Sequence, residues 1–189
     1  MKNFGKLFGI IALVAVIGFS FVSCSDGGGG STPKKPDTPA KPTDTWKAVT
    51  SLTQLVGTWE VTDTVSGPLD EFPNVNVKSE AKYTITFTSI STTTGKYEMN
   101  YNEKLTFSGT GLNDSSWSEI KSSIEESFED EENFTVASND SNHTITVTAT
   151  QEQPITSADD LSDIQINKDG TKIKIIIDYM GGPAIFTKQ

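Results

Sequence analysis

Residues 95–109 read GKYEMNYNEKLTFSG, and this stretch decides the fold class. Apolar and polar side chains alternate along it, which is the pattern of a β-strand with one face on a core and the other in water. The apolar face consists of Tyr97, Met99, Tyr101, Leu105 and Phe107. Glu103 interrupts that face, and two interpretations stay open. A bulge would turn Glu103 out to water, whereas an inward Glu103 would offer a ligand a polar contact.

The same alternation continues on both sides of this strand. Predicted strands carry inward residues at Tyr83, Ile85 and Phe87, at Phe134 and Val136, at Ile145, Val147 and Ala149, at Ile164 and Ile166, at Ile173, Ile175, Ile177 and Tyr179, and around Ala184 to Thr187. Hairpin signals such as Asn167-Lys168-Asp169-Gly170 separate them. About eight strands joined mainly by hairpins predict a mainly β fold, an antiparallel up-and-down barrel.

One helix is predicted within the series of strands, from Ser116 to Phe128. Apolar residues recur there at steps of three and four, which gives a single stripe. The stripe consists of Trp117, Ile120, Ile124 and Phe128. Ser116 and Glu119 have the spacing of a capping box at the helix start. Two roles stay open for this amphipathic helix: plain packing on the sheet, or a lid over a ligand cavity.

The segment LTQLVGTWEV at residues 52–61 resembles the opening of lipocalin-like domains, with Gly57-Thr58-Trp59 as its motif. The resemblance implies a lipocalin or calycin-like barrel over residues 46–189, with a cavity for a small apolar molecule. It also implies that Trp59 plugs one end of the barrel. In lipocalins an arginine side chain packs across this tryptophan. This chain contains no arginine, so Lys172 or Lys174 is expected in that position.

The first 24 residues have the features of an export signal. Lys2 and Lys6 precede an apolar run over residues 7–22 that is too short for a typical membrane-spanning helix. The run ends at Phe21-Val22-Ser23-Cys24, which resembles the lipobox of bacterial lipoproteins. That resemblance implies a signal peptide over residues 1–23, diacylglycerol on Cys24, and attachment to the cell envelope. An outer membrane location is expected, on its periplasmic face or at the cell surface.

Residues 24–45 follow as the lipidated cysteine and a flexible tether. They contain four successive glycines, then prolines at three-residue spacing, and no apolar residue larger than Ala40. Such a composition cannot repay the entropy of folding, so we expect this segment to be disordered. The tether would hold the folded domain away from the bilayer.

Charge and composition exclude several functions. The net charge is −10 and every basic residue is lysine, which argues against a nucleic-acid partner. The single histidine, His143, lies beside a predicted turn, and the single cysteine is the predicted lipid site. We therefore expect no catalytic residue, no metal site and no cofactor apart from the covalent lipid on Cys24. An enzyme is the least supported class.

Two functions remain. The first is binding of a small hydrophobic or amphipathic molecule inside the barrel. The candidate ligand-binding residues are Trp59, Tyr83, Phe87, Tyr97, Met99, Tyr101 and Glu103. The second is a filled barrel that meets another protein or the envelope through its surface. The expected partners are the membrane, through the lipid, and a small apolar ligand; the sequence identifies no protein partner.

Overall fold

A computed structural model describes residues 45–69, 71–129, 131, 133–175 and 183–189 of the chain. The described strands are β1 Trp46–Ala48, β2 Gly57–Leu69, β3 Phe72–Ser89, β4 Gly95–Ser108, β5 Phe134–Asn139, β6 Thr144–Ile155, β7 Ile164–Asn167, β8 Lys172–Ile175 and β9 Ala184–Lys188. Helix α1 spans Asp114–Ser127, and two short 3-10 helices span Leu52–Gln54 and Ala158–Leu161. The predicted mainly β fold with one helix is confirmed. Cys24, the signal peptide, the tether as far as residue 44, Ile177 and Tyr179 lie outside the described residues.

The nine described strands form one sheet in the order β1-β7-β8-β9-β2-β3-β4-β6-β5, and every neighbouring pair is antiparallel. Strand directions therefore alternate, and with nine strands the two edges, β1 and β5, point the same way. Such edges cannot complete a ring of antiparallel pairs. Among the described residues β1 and β5 are not paired, so the sheet is not closed. The predicted antiparallel sheet is confirmed, with nine strands where about eight were predicted, and its order is consistent with an up-and-down arrangement in which β4 pairs with β6 and not with β5.

The sheet is nevertheless strongly curled. The amide of Val49 bonds to Ile164 of β7, and the amide of Leu52 bonds to Thr92 in the β3–β4 turn. Three residues of chain reach at most about 11 Å. In a flat sheet β7 and β3 would be four strand spacings apart, roughly 19 Å. The first 3-10 helix thus crosses one end of a curved sheet, where Leu52 and Leu55 are fully buried.

Register along the central strands decides the orientation of Glu103. Pairing between β3 and β4 runs without a shift from Asn76 and Ser108 to Ser89 and Gly95. Pairing between β4 and β6 is equally continuous through Glu103. The bulge interpretation is therefore wrong. Glu103 faces the core, and only 6% of it is exposed.

Helix α1 lies at the end of the sheet away from Trp59. The predicted stripe is confirmed, because Trp117, Ile120, Ile124 and Phe128 are all buried. The predicted start at Ser116 is wrong. Asn113 is the N-cap, and its side chain accepts from the amides of Ser115 and Ser116, at 3.0 and 3.1 Å. No helix in the described part of the chain is long and apolar enough to cross a membrane.

Candidate functional site

A row of inward side chains crosses the middle of the sheet, with a carboxylate at two of its positions. Residues paired in antiparallel register lie on the same face. Asp63 of β2 pairs with Ala81 of β3, Ala81 pairs with Glu103 of β4, and Glu103 pairs with Val147 of β6. Ala81, a small residue, thus separates the two acids. Asp63 is exposed and Glu103 is buried, so the row leads from solvent into the core.

The Glu103 carboxylate has two hydroxyl donors. Ser79 Oγ donates to Oε1 at 2.5 Å, and the Tyr101 hydroxyl donates to Oε2. Among the described residues no lysine lies within ion-pair distance of Glu103. A buried carboxylate is stabilised when a cation or several donors compensate for its lost hydration. Here only two neutral donors do so.

Two tyrosines adjoin this carboxylate. The rings of Tyr83 and Tyr101 lie with their centroids 4.9 Å apart. Burial raises the pKa of both phenols, and the negative charge of Glu103 raises each pKa further. Asp63 also raises the pKa of Tyr83, which agrees with its place on the same face. Both hydroxyls therefore stay protonated at neutral pH, and Tyr101 can act as a donor.

All seven candidate ligand-binding residues face the core, but in two environments. Trp59, Phe87 and Met99 are at most 1% exposed, so their side chains are packed on every side. Tyr97 adjoins them, 3% exposed, with its ring 6.0 Å from that of Phe87. Tyr83, Tyr101 and Glu103 form the polar centre of the sheet. The structure brings only these last three together as a chemically distinct site, and ligand binding by the seven stays a prediction.

The surroundings of Trp59 explain how its end of the sheet is filled. The indole Nε1 donates to the Leu55 carbonyl at 2.6 Å, so the polar atom of this buried ring is satisfied. Gly57 has φ +120°, a backbone conformation that favours glycine. The lysine over the Trp59 ring is Lys188, with Nζ 5.1 Å from the ring centre. Lys188 of β9 thus takes the position that was expected of Lys172 or Lys174. Lys174 lies over the ring of Trp46 instead.

Sequence reasoning missed three polar residues of the inward face. Asp63 lies in the row of inward side chains, and Ser79 donates a hydrogen bond to the Glu103 carboxylate. Gln151, paired with Met99, has a buried side-chain oxygen with no hydrogen-bond partner among the described residues. The signal was present for Asp63, because alternation continues from Trp59 through Val61. Alternation alone does not show that a polar side chain at such a position belongs to the core face.

A small void lies between α1 and the sheet. Its volume is about 30 Å³, and it is lined by Leu69, Glu71, Phe72, Phe107, Ile120, Ser123 and Ile124. A water molecule needs roughly 10–15 Å³ on this measure, whereas small-molecule pockets are typically about 300–1,000 Å³. At this place α1 packs on the sheet and does not roof a space of ligand size.

His143 is one of the residues that pack against α1. Its ring meets Trp117 edge-on at 5.2 Å, and the Trp117 Nε1 donates to Asp140 at 2.8 Å. Lys121 Nζ reaches the same carboxylate at 3.2 Å.

Within the described ranges no group of three or more metal-ligating side chains is present. Comparisons with protein-family models, with curated proteins and with solved structures found no match to this chain.

Proposed function

We propose that this chain is a membrane-anchored lipoprotein whose β-domain binds a small amphipathic molecule at Glu103 and does no chemistry on it. One observation carries the proposal: a carboxylate is retained in the middle of an apolar core, with no cation beside it among the described residues. Charged groups are rarely buried in this way without a use, because desolvation disfavours them.

The surroundings of Glu103 favour a ligand with a donor head and an apolar body. An ionised carboxylate has about four acceptor positions, and Ser79 and Tyr101 use two of them. An ammonium, amide or hydroxyl group of a ligand would use the others. The rings of Tyr83 and Tyr101 offer apolar surface and a π-face for a cation. Ala81, a small residue, lies between Asp63 and Glu103, and exposed Asp63 would mark the direction of entry.

The domain that holds this site is proposed to be a lipocalin-like barrel with one side unpaired. Support comes from the curl of the sheet, the burial of Trp59 beside the first 3-10 helix, and the positive φ of Gly57. The proposed anchor is lipid on Cys24. One acyl chain gives only marginal membrane binding, so the two chains of a diacylglycerol are the physical reason for stable attachment.

The second candidate function is a filled domain that acts through its surface on another envelope protein. The tight packing of Trp59, Phe87 and Met99 and the small void under α1 favour it. The two candidates differ in one respect that can be measured. A binder takes up a molecule at Glu103, whereas a filled domain does not.

Native mass spectrometry of residues 25–189, produced without the lipid and purified without detergent, tests the proposal. We expect adducts of metabolite or lipid mass that disappear on denaturation. Glu103→Gln should lose at least 90% of the adduct, because it removes the charge. Glu98→Gln is the matched control, since it makes the same change on the outward face of β4. A clean apo mass, unaltered by added amphiphiles, would reject binding and favour the filled domain.

A further inference from the structure

We infer that the molecule bound at Glu103 is an organic cation, with an ammonium head and an apolar body, and not an anionic lipid. The inference rests on the proposed binding at Glu103 and names the class of ligand. The carboxylate site, as we call it, consists of six inward residues of three neighbouring strands: Asp63, Ser79, Ala81, Tyr83, Tyr101 and Glu103.

The two carboxylates of this site lie on either side of one small residue. Ala81 pairs with Asp63 on one strand and with Glu103 on the other, so all three side chains project from the same face. Two strand spacings separate the Cα atoms of the two acids, roughly 10 Å. Asp63 is exposed and Glu103 is buried. A molecule that approaches Glu103 past Asp63 meets negative charge twice, which attracts cations and repels anions.

No lysine of the described residues neutralises either carboxylate by an ion pair. Lys82 and Lys104 follow members of the site in sequence and therefore project from the opposite face of the sheet. Two lysines share the inward face by register, and they lie in other strands: Lys47 in β1 and Lys188 in β9. Lys188 lies over the ring of Trp59. The negative charge of the carboxylate site is thus left for a ligand to compensate, whereas an anion would add to it.

Two buried acceptors of this face can accept further hydrogen bonds. Both oxygens of Glu103 accept a hydroxyl, from Ser79 and from Tyr101, which is the pattern of an ionised carboxylate and leaves about two positions open. Gln151 lies diagonally across from Tyr101, and its buried side-chain oxygen has no partner among the described residues. An ammonium group has three donors and no acceptor. A carboxylate or phosphate head would instead place acceptor against acceptor.

The two tyrosines of the site provide an aromatic surface beside these charges. The ring centroids of Tyr83 and Tyr101 are 4.9 Å apart, with the rings tilted by 43°. Burial raises the pKa of Tyr83, and the charges of Glu103 and Asp63 raise it further, so this phenol lies near both carboxylates. An ammonium group between the two acids is therefore also next to an aromatic ring. Cation–π attraction then adds to the attraction of the carboxylates.

The test compares three probes that share one apolar body and differ only in the head: octylammonium, octanol and octanoate. Their binding to residues 25–189, within which the whole described fold lies, is measured by calorimetry at neutral pH and low salt. Charge-assisted hydrogen bonds are stronger than neutral ones, so octylammonium should have a Kd about tenfold below that of octanol. Octanoate should bind most weakly.

Variants of the two acids assign the preference to the site. Glu103→Gln should raise the Kd of octylammonium to about that of octanol and leave octanol binding within about twofold, because only the charge is removed. Asp63→Asn, at an exposed position, should weaken octylammonium about two- to fivefold, and less at high salt. Glu98→Gln, on the outward face of β4, is the matched control and should change neither probe.

The outcomes distinguish this inference from the proposed function. Octanol or octanoate binding as tightly as octylammonium would overturn the cation class and leave binding at Glu103 in place. A native adduct without a basic nitrogen would do the same. Equal losses of octylammonium in Glu103→Gln and Glu98→Gln would place the cation elsewhere and also overturn the inference. Binding of none of the three probes, together with a clean apo mass, would overturn the proposed function itself.

Discussion

The hydroxyl of Tyr101 donates a hydrogen bond to the carboxylate of Glu103, two positions along the same strand. Both side chains point into the core, because residues i and i+2 of a strand share a face. The contact links an aromatic surface to a buried negative charge at the centre of the sheet. It also gives Glu103 part of the compensation that its burial requires.

The first prediction concerns the strength of this bond. Hydrogen bonds to charged groups contribute about 1.5–3 kcal/mol, so the coupling free energy between Tyr101→Phe and Glu103→Gln should be about 1–2 kcal/mol. The measurement is a double-mutant cycle by urea unfolding. Tyr97→Phe with Glu103→Gln serves as the control cycle, because Tyr97 lies on the same face of β4 but six positions from Glu103, about 20 Å along an extended strand. A coupling no larger than that of the control cycle would contradict the geometry.

The second prediction concerns alkaline pH. Burial raises the pKa of Tyr83, Tyr97 and Tyr101, and nearby carboxylates raise each pKa further. The unfolded chain releases these protons near pH 10, before the folded chain does. Stability from these groups is thus complete below pH 10 and is lost as the pH rises above it. Phenolate absorbance should show three of the four tyrosines ionising together with unfolding. Smooth titration near pH 10 of a still-folded chain would be inconsistent with their burial.

Alternation along β3 and β4 was sufficient to predict their inward faces, and the helical stripe on α1 was equally clear. Each pattern is local, so it can be recognised without knowledge of partners. The helix start was misplaced because Asn113 and Ser116 both suit a capping position. Only the backbone shows that Asn113 caps and that Ser116 is the third helical residue.

The candidate site was less predictable, because it depends on register between strands far apart in sequence. Nothing near Ser79 indicates that it pairs with Leu105 and bonds to Glu103. The lysine over Trp59 could not be chosen from the sequence for the same reason. Lys188 reaches that ring only because β9 pairs with β2 at this point.

The third prediction concerns acidic pH and the contacts that Asp140 makes with α1. Hydrogen bonds from Trp117 and Lys121 lower the pKa of Asp140. A carboxyl with a lowered folded-state pKa contributes stability above its unfolded pKa, about 4, and that contribution is lost as the pH falls through the lower folded value. The near-ultraviolet circular dichroism of Trp117 should therefore weaken below pH 4. Asp140→Asn should remove much of this pH dependence, whereas Glu119→Gln, on the exposed face of α1, should not. An unchanged profile in Asp140→Asn would show that another group controls the transition.

The fourth prediction distinguishes two reasons why a position in the fold requires glycine. A Cβ on Gly95 would lie 2.1 Å from the Thr88 carbonyl and 2.6 Å from Leu52 Cδ2, so Gly95→Ala requires backbone to move. It should cost about 3 kcal/mol or more, because Leu52 is fully buried and fixes the 3-10 helix across the sheet end. A Cβ on Gly170 meets nothing within 4 Å, and only its φ of +69° disfavours alanine. Gly170→Ala should cost about 1 kcal/mol. Urea unfolding of both variants measures the difference, and equal costs would mean that Leu52 does not press on β4 as the structure has it.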